Sequence, residues 1–267
     1  MPQLYIFIAS LLAIVVIVVR RNWIFEHVKR AQFDKEVTQK VKELQKERVK
    51  EASDERFKES YLKEQSKKKY DVSEFKTIYR KAEMAMAKKQ WNEAKKLLIQ
   101  SLTLTRDELP VSIRLAAVYM ESGDLKRAEE LYKRLSEMDP KNPDIYENMG
   151  KIYAKWKQYK DAVASYVLAI EIDEKDEKKW VALGRLYFLL MRPSLSAECF
   201  RRAAELRPRD TATIFLLAES CRDAEDYENA LFAYERILTM EPYNEKAREG
   251  AQDVRIRMNE LEKALSR

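Results

Sequence analysis

The chain has 267 residues, 46% apolar and 36% charged, with four glycines, seven prolines, one histidine and two cysteines, Cys199 and Cys221. That excludes a disordered chain, a zinc ribbon and a disulfide framework; the wealth of strong helix formers leaves little room for sheet, and sparse cysteine fits a reducing compartment. The net charge of +6 belongs to one segment, because residues 20–70 hold 16 Lys/Arg against 10 Asp/Glu while the 35 basic and 35 acidic residues beyond cancel.

The first element is the uncharged run LYIFIASLLAIVVIVV, Leu4 to Val19, followed by Arg20, Arg21 and the interfacial residues Trp23, Ile24 and Phe25. Roughly 20 apolar helical residues cross a hydrocarbon core of ~30 Å, so residues 1–25 read as a transmembrane anchor with its flank. A cleaved secretory signal would need a basic start and a small-residue cleavage site, whereas this chain starts MPQ and leaves the run as IVVIVVRR. Arg20, Arg21, Lys29 and Arg30 all follow the run, which predicts a single-pass protein with its C-terminal bulk in the cytoplasm.

Residues 26–70 are rich in Lys, Glu and Gln and lack Gly and Pro. They read as a charged helical stalk, which at 1.5 Å per residue could reach ~70 Å with the flank included. Glu47 with Lys50 and Glu59 with Lys63 stand at attractive helical spacings, whereas Glu43 and Glu47 repel. Val37, Val41 and Leu44 form a short apolar seam interrupted by Arg48; it leaves open a homo-oligomer through the stalk. Asp71 and Glu74 have capping-box spacing and mark a fresh helix start.

From there the chain repeats every 34 residues, in rows starting at Phe75, Leu109, Pro143, Glu177 and Thr211. The eighth column reads Ala82, Ala116, Gly150, Gly184, Ala218, and the twentieth Ala94, Ala128, Ala162, Ser196, Ala230. Large residues fill the eleventh column at Tyr119, Tyr153 and Tyr187, and the twenty-fourth at Leu98, Tyr132, Tyr166, Phe200 and Tyr234. Two antiparallel helices per row explain this if small residues let backbones approach and rings fill the space alongside, small meeting small and ring meeting ring. Asn142, Asp176, Asp210 and Asn244 recur as N-caps; Pro140, Pro208 and Pro242 end the helices before them; Gly123 sits in a turn.

These columns resemble the tetratricopeptide repeat family, most fully at Trp180, Leu183, Gly184, Tyr187, Phe200, Ala203 and Pro208. The resemblance implies an all-α fold, a right-handed superhelix of five units over residues 71–243. The first unit departs most, with Lys81, Ala82, Ala85, Ser101 and Arg106 where the family has Leu, Gly, Tyr, Ala and Pro. Residues 244–267 read as a charged capping helix that covers the last apolar edge.

The family resemblance implies a concave groove lined by the first helix of each unit. Its candidate protein-binding residues here are Tyr79, Glu83, Met86, Ile113, Met120, Glu147, Lys151, Val181, Arg185, Phe188, Phe215 and Glu219. A mode in which repeats clamp a C-terminal carboxylate is excluded: Asn148 and Lys178 suit it, but Ile113, Ala117 and Ala182 do not.

Catalysis lacks a constellation. The glycines are isolated, no phosphate loop or H-E-x-x-H is present, His27 has no plausible partner, and Cys221 falls in a core column. The sequence thus predicts a protein with no enzymatic activity, cofactor, metal or nucleic-acid site: a membrane-anchored scaffold that binds a protein or peptide segment. Alternatives are a structural homo-oligomer with the repeats as spacers, or an exported repeat protein of envelope assembly or secretion. The architecture is similar to lipopolysaccharide assembly protein B, yet that family's four-cysteine metal module is missing.

Overall fold

The structure, a computed structural model, describes residues 35–43, 72–105 and 107–265. The apolar run Leu4–Val19, Asp71 of the capping box and most of the expected stalk lie outside the described residues. Within them every regular element is an α-helix. Beyond a helical segment at 35–43 come α1 (Val72–Ala87), α2 (Trp91–Thr103), α3 (Glu108–Glu121), α4 (Leu125–Met138), α5 (Pro143–Lys155) and α6 (Tyr159–Ile172). The series continues with α7 (Glu177–Leu189), α8 (Pro193–Leu206), α9 (Thr211–Asp223), α10 (Tyr227–Met240) and α11 (Glu245–Leu265). Each packs on its chain neighbours, and α3 also touches α5, as α9 touches α11. The result is an all-helical solenoid.

Local chemistry starts and stops these helices. The side chains of Asn142, Asp176 and Asp210 accept the backbone N–H of Asp144, Lys178 and Ala212, and Asn244 accepts that of Ala247 at 3.0 Å. Pro143 and Pro193 occupy the opening turns of α5 and α8, where a missing N–H leaves no bond unmade.

Within each unit the first helix ends in the same way. The N–H groups of Gln90, Asp124, Gln158, Arg192 and Asp226 each donate at 2.9 Å to the carbonyl five residues back. The residue before each of these sits at positive φ: Lys89 at 57°, Gly123 at 85°, Lys157 at 60°, Met191 at 55° and Glu225 at 62°. This is the Schellman closure, repeated every 34 residues, and only one row supplies the glycine that the left-handed conformation favours.

The packing columns differ from the expected pairing of small with small. A Cβ built on Gly150 would lie 2.7 Å from ring carbons of Tyr166, and one on Gly184 would lie 2.8 Å from Phe200. The ring of the second helix therefore packs directly against the small residue of the first. Ala82, Ala116 and Ala218 are fully buried in the same column, while Ala128, Ala162 and Ala230 are fully buried in the twentieth. Tyr187 is half-buried against the third-unit and fourth-unit cluster. Gly250 of α11 meets Tyr234 from the helix that follows the ring, and a Cβ built there would overlap that ring. Ala247, Ala251 and Val254 complete the buried face of α11, so it covers the last edge.

Two polar contacts sit inside this apolar stack. Ser196 Oγ donates to the carbonyl of Gly184 at 2.9 Å and lies 2.9 Å from Ser220 Oγ. Lys179, 1% exposed, holds Asp176 at 2.6 Å and Asp173 at 3.1 Å across the turn into α7. Burial works against the charged lysine, but these two carboxylates outweigh it and raise its pKa. Burial likewise opposes the charged Asp176, and the bonds from Lys179 and the Lys178 N–H reverse the balance and lower it. The pair stays ionised across neutral pH, its contribution fading only in acid, as Asp176 protonates, or in strong base, as Lys179 neutralises.

The segment 35–43 does not stand free in solvent as a stalk would. Val37 is buried in the cluster containing Val163, Tyr166 and Leu186, and Val41 packs against both that cluster and the one around Met149. Lys40 Nζ reaches Asp161 Oδ1 at 3.3 Å and Glu36 pairs with Lys160. Thus Val37 and Val41 of the predicted seam meet repeats instead of a coiled-coil partner; Leu44 lies outside the described residues. Burying one valine stabilises by roughly 1.5 kcal/mol and exposed ion pairs by a few tenths each, so the docking is marginal.

The two kinds of glycine predict opposite signatures. Gly184→Leu overpacks Phe200 and should cost ~2 kcal/mol or more in a urea titration, part of it recovered by adding Phe200→Ala. Gly123 has nothing within 4 Å of a built Cβ, so Gly123→Ala should cost only the left-handed backbone penalty, about 1 kcal/mol, and should not be rescued by any neighbouring change.

Candidate functional site

The helices α1, α3, α5, α7 and α9, the first of each unit, carry the candidate binding residues. On four of them those side chains are largely spent on internal contacts. Tyr79 stacks on Phe75 with centroids 5.5 Å apart, and both pack with Met86 against the first-unit cluster. Ile113 is half-buried against the second-unit cluster and Met120 is buried within it. Glu83 is exposed yet lies 3.9 Å from Arg114. Lys151 pairs with Glu147 at 2.6 Å and donates to Asn148 Oδ1 at 3.3 Å.

On α9, Phe215 packs edge-on against Tyr234 at 5.9 Å. Glu219 accepts the Tyr234 hydroxyl and two Arg222 N–H groups, at 3.0 and 2.8 Å. Burial first, then this bond, pushes the Tyr234 hydroxyl far above its ordinary pKa, so it remains a donor. These contacts give Phe215 and Glu219 a part in the core.

Helix α7 is different. Val181 is half-buried, Arg185 is exposed with no ion-pair partner among the described residues, and Phe188 is 44% exposed. Just beyond it in the chain, Leu189 and Met191 are 59% and 78% exposed, and Leu195 of α8 is also exposed. Column analysis pointed to Phe188 and missed the other three. A signal was present: Met191 occupies the turn column that holds Lys89, Gly123, Lys157 and Glu225 in the other rows, and an apolar side chain in a solvated turn is the anomaly. Together these residues offer an aromatic and aliphatic surface beside one free cation.

Nucleophilic chemistry has poor support. Burial first and Glu198 second push the Cys199 thiol up to about 12, and burial with Asp226 pushes Cys221 up to about 11, with Arg201 opposing. Among the described residues no group of three His, Cys, Asp or Glu side chains is placed to hold a metal ion. His27 lies outside them. Native protein at pH 8 should therefore resist a thiol-modifying disulfide reagent for hours, and release two equivalents once unfolded in guanidinium; fast modification of either cysteine in the native state would contradict the buried geometry.

Comparison with known proteins agrees with the helical pairs. Tetratricopeptide repeat profiles match residues 85–152, 143–176 and 181–245. Anaphase-promoting complex subunit 3 of Schizosaccharomyces pombe is 24% identical over 151 residues, 57% of this chain and 23% of that protein. BBSome complex member BBS4 of Bos taurus is 29% identical over 98 residues, 37% of this chain and 19% of that protein. The chain thus spans less than a quarter of the length of these two relatives. Among solved structures, a tetratricopeptide repeat protein of Parabacteroides merdae has a TM-score of 0.56 at 16% identity, over 72% of this chain and 76% of that one. MamA of Desulfovibrio magneticus has a TM-score of 0.55 at 16% identity, over 64% of this chain and 97% of that one. These structures share the fold.

Proposed function

We propose that this chain, which carries tetratricopeptide repeats, is a non-catalytic adaptor that holds a segment of a partner protein on the face of α7 and works at a membrane. The observation that carries the reading is the uncovered surface at Arg185 and Phe188, set among repeats whose other candidate residues are occupied internally. Phe188, with Leu189 and Met191 nearby, gives an apolar anchor, and Arg185 adds a charge that a carboxylate on the partner meets.

The membrane part rests on the sequence alone. Residues 4–19 form the apolar run and the basic residues follow it, which supports a single-pass anchor with the repeats in the cytoplasm. No helix of the described residues is long and apolar enough to cross a membrane, and this run lies outside them. In this reading the protein recruits or assembles partners next to the bilayer.

The test is partner capture by crosslinking in isolated membranes, comparing the parent with Arg185→Ser/Phe188→Ala. The double variant should lose at least tenfold in captured partner with unchanged helicity and melting; equal capture would remove the α7 face from consideration. Deleting residues 1–25 should move the protein from the membrane pellet to the supernatant, and retention in the pellet after that deletion would count against the anchor.

A further inference from the structure

A second surface, built by α6 together with the buried side of α7, accepts a helix. The segment 35–43 carries apolar side chains only at Val37 and Val41, four residues apart and hence on one helical face. Lys35, Glu36, Thr38, Gln39, Lys40, Lys42 and Glu43 are all exposed. The apolar face is seated on α6 and α7, where Val37 joins the cluster of Val163, Tyr166 and Leu186. Charge fixes its register: Glu36 meets Lys160, and Lys40 meets Asp161 at 3.3 Å, so neighbouring charges of opposite sign on α6 read an acid and a base four residues apart. A helix turned end for end would bring like charges together.

We propose that this seat is a helix-binding site and that segment 35–43 is its built-in competitor, a latch closed within one molecule. The occupant it fits is an amphipathic helix with the order acidic, valine, two polar residues, basic, valine, as Glu36 to Val41 present it. Two observations make the latch releasable. Only one of its side chains is buried, and both ion pairs are largely open to water. A marginal contact holds because the segment is covalently attached to the repeats, at an effective concentration on the order of millimolar. A free helix of the same chemistry therefore binds the wild-type chain with an affinity reduced by the fraction of molecules whose seat is open.

The experiment measures fluorescence anisotropy of a labelled synthetic peptide spanning residues 33–45 against the full chain. Val37→Asp in the chain opens the latch without touching any repeat residue, and the peptide should bind that variant at least tenfold more tightly than the parent. The Glu36→Lys/Lys40→Glu variant, which keeps every apolar contact, should give the same gain. Adding Lys160→Glu/Asp161→Lys to the Val37→Asp chain should weaken binding of the natural peptide severalfold and restore it for a peptide with both charges exchanged. Equal peptide affinity for the parent and both open variants overturns the proposal, as does binding left unchanged by the reversal at Lys160 and Asp161. Sedimentation of the parent and of Val37→Asp separates the remaining case: a dimer that dissociates in the variant means the segment seats on a second copy, which overturns the intramolecular latch.

Discussion

The fold depends on aromatic rings packed directly against residues that have almost no side chain. Tyr166 rests on Gly150, Phe200 on Gly184 and Tyr234 on Gly250, at distances that leave no space for even a Cβ. A ring held this way sets the distance between two helix axes in the third and fourth units and at the last edge, and buried alanines take the glycine's place in the other units. Helix pairs with small residues and rings in matching columns stack in series, and the solenoid follows from that repeated arrangement.

Around that contact the local signals agree with one another. Asp and Asn cap the helices that begin a unit, and the same Schellman closure ends them. Where the closure requires a left-handed residue, four rows place Lys, Met or Glu there. The strain of those positions, of order 1–2 kcal/mol each, is borne by the packing on either side. Lys179 is a similar case, a fully covered cation held only because two carboxylates face it across one turn.

The proposed function rests on the places where this regularity lapses. Internal pairs occupy Lys151, Glu219 and their partners, whereas α7 leaves Arg185 and Phe188 to solvent and adds Met191 in a turn position. A second departure lies in the first turn of α6, where Lys160 and Asp161 hold a helix from another part of the chain. Both surfaces belong to the middle of the array, where neighbouring units fix their supporting side chains from two sides.

The sequence by itself determined the all-α class, the period of 34 residues, the N-caps and the small and large columns, because all of these are local or periodic and each row repeats the evidence. It misread how the columns meet, since the identity of a small residue does not say whether a backbone or a ring covers it; Gly150 and Tyr166 are sixteen residues apart, and only the packed pair of helices reveals their contact. It named Phe215 and Glu219 as groove candidates because a helical face is legible from spacing, whereas Tyr234 of α10, which meets both, is not. Tertiary structure alone decided that Val37 and Val41 pack on the third and fourth units, a contact between segments more than a hundred residues apart whose energy resides in the pair and in neither sequence separately.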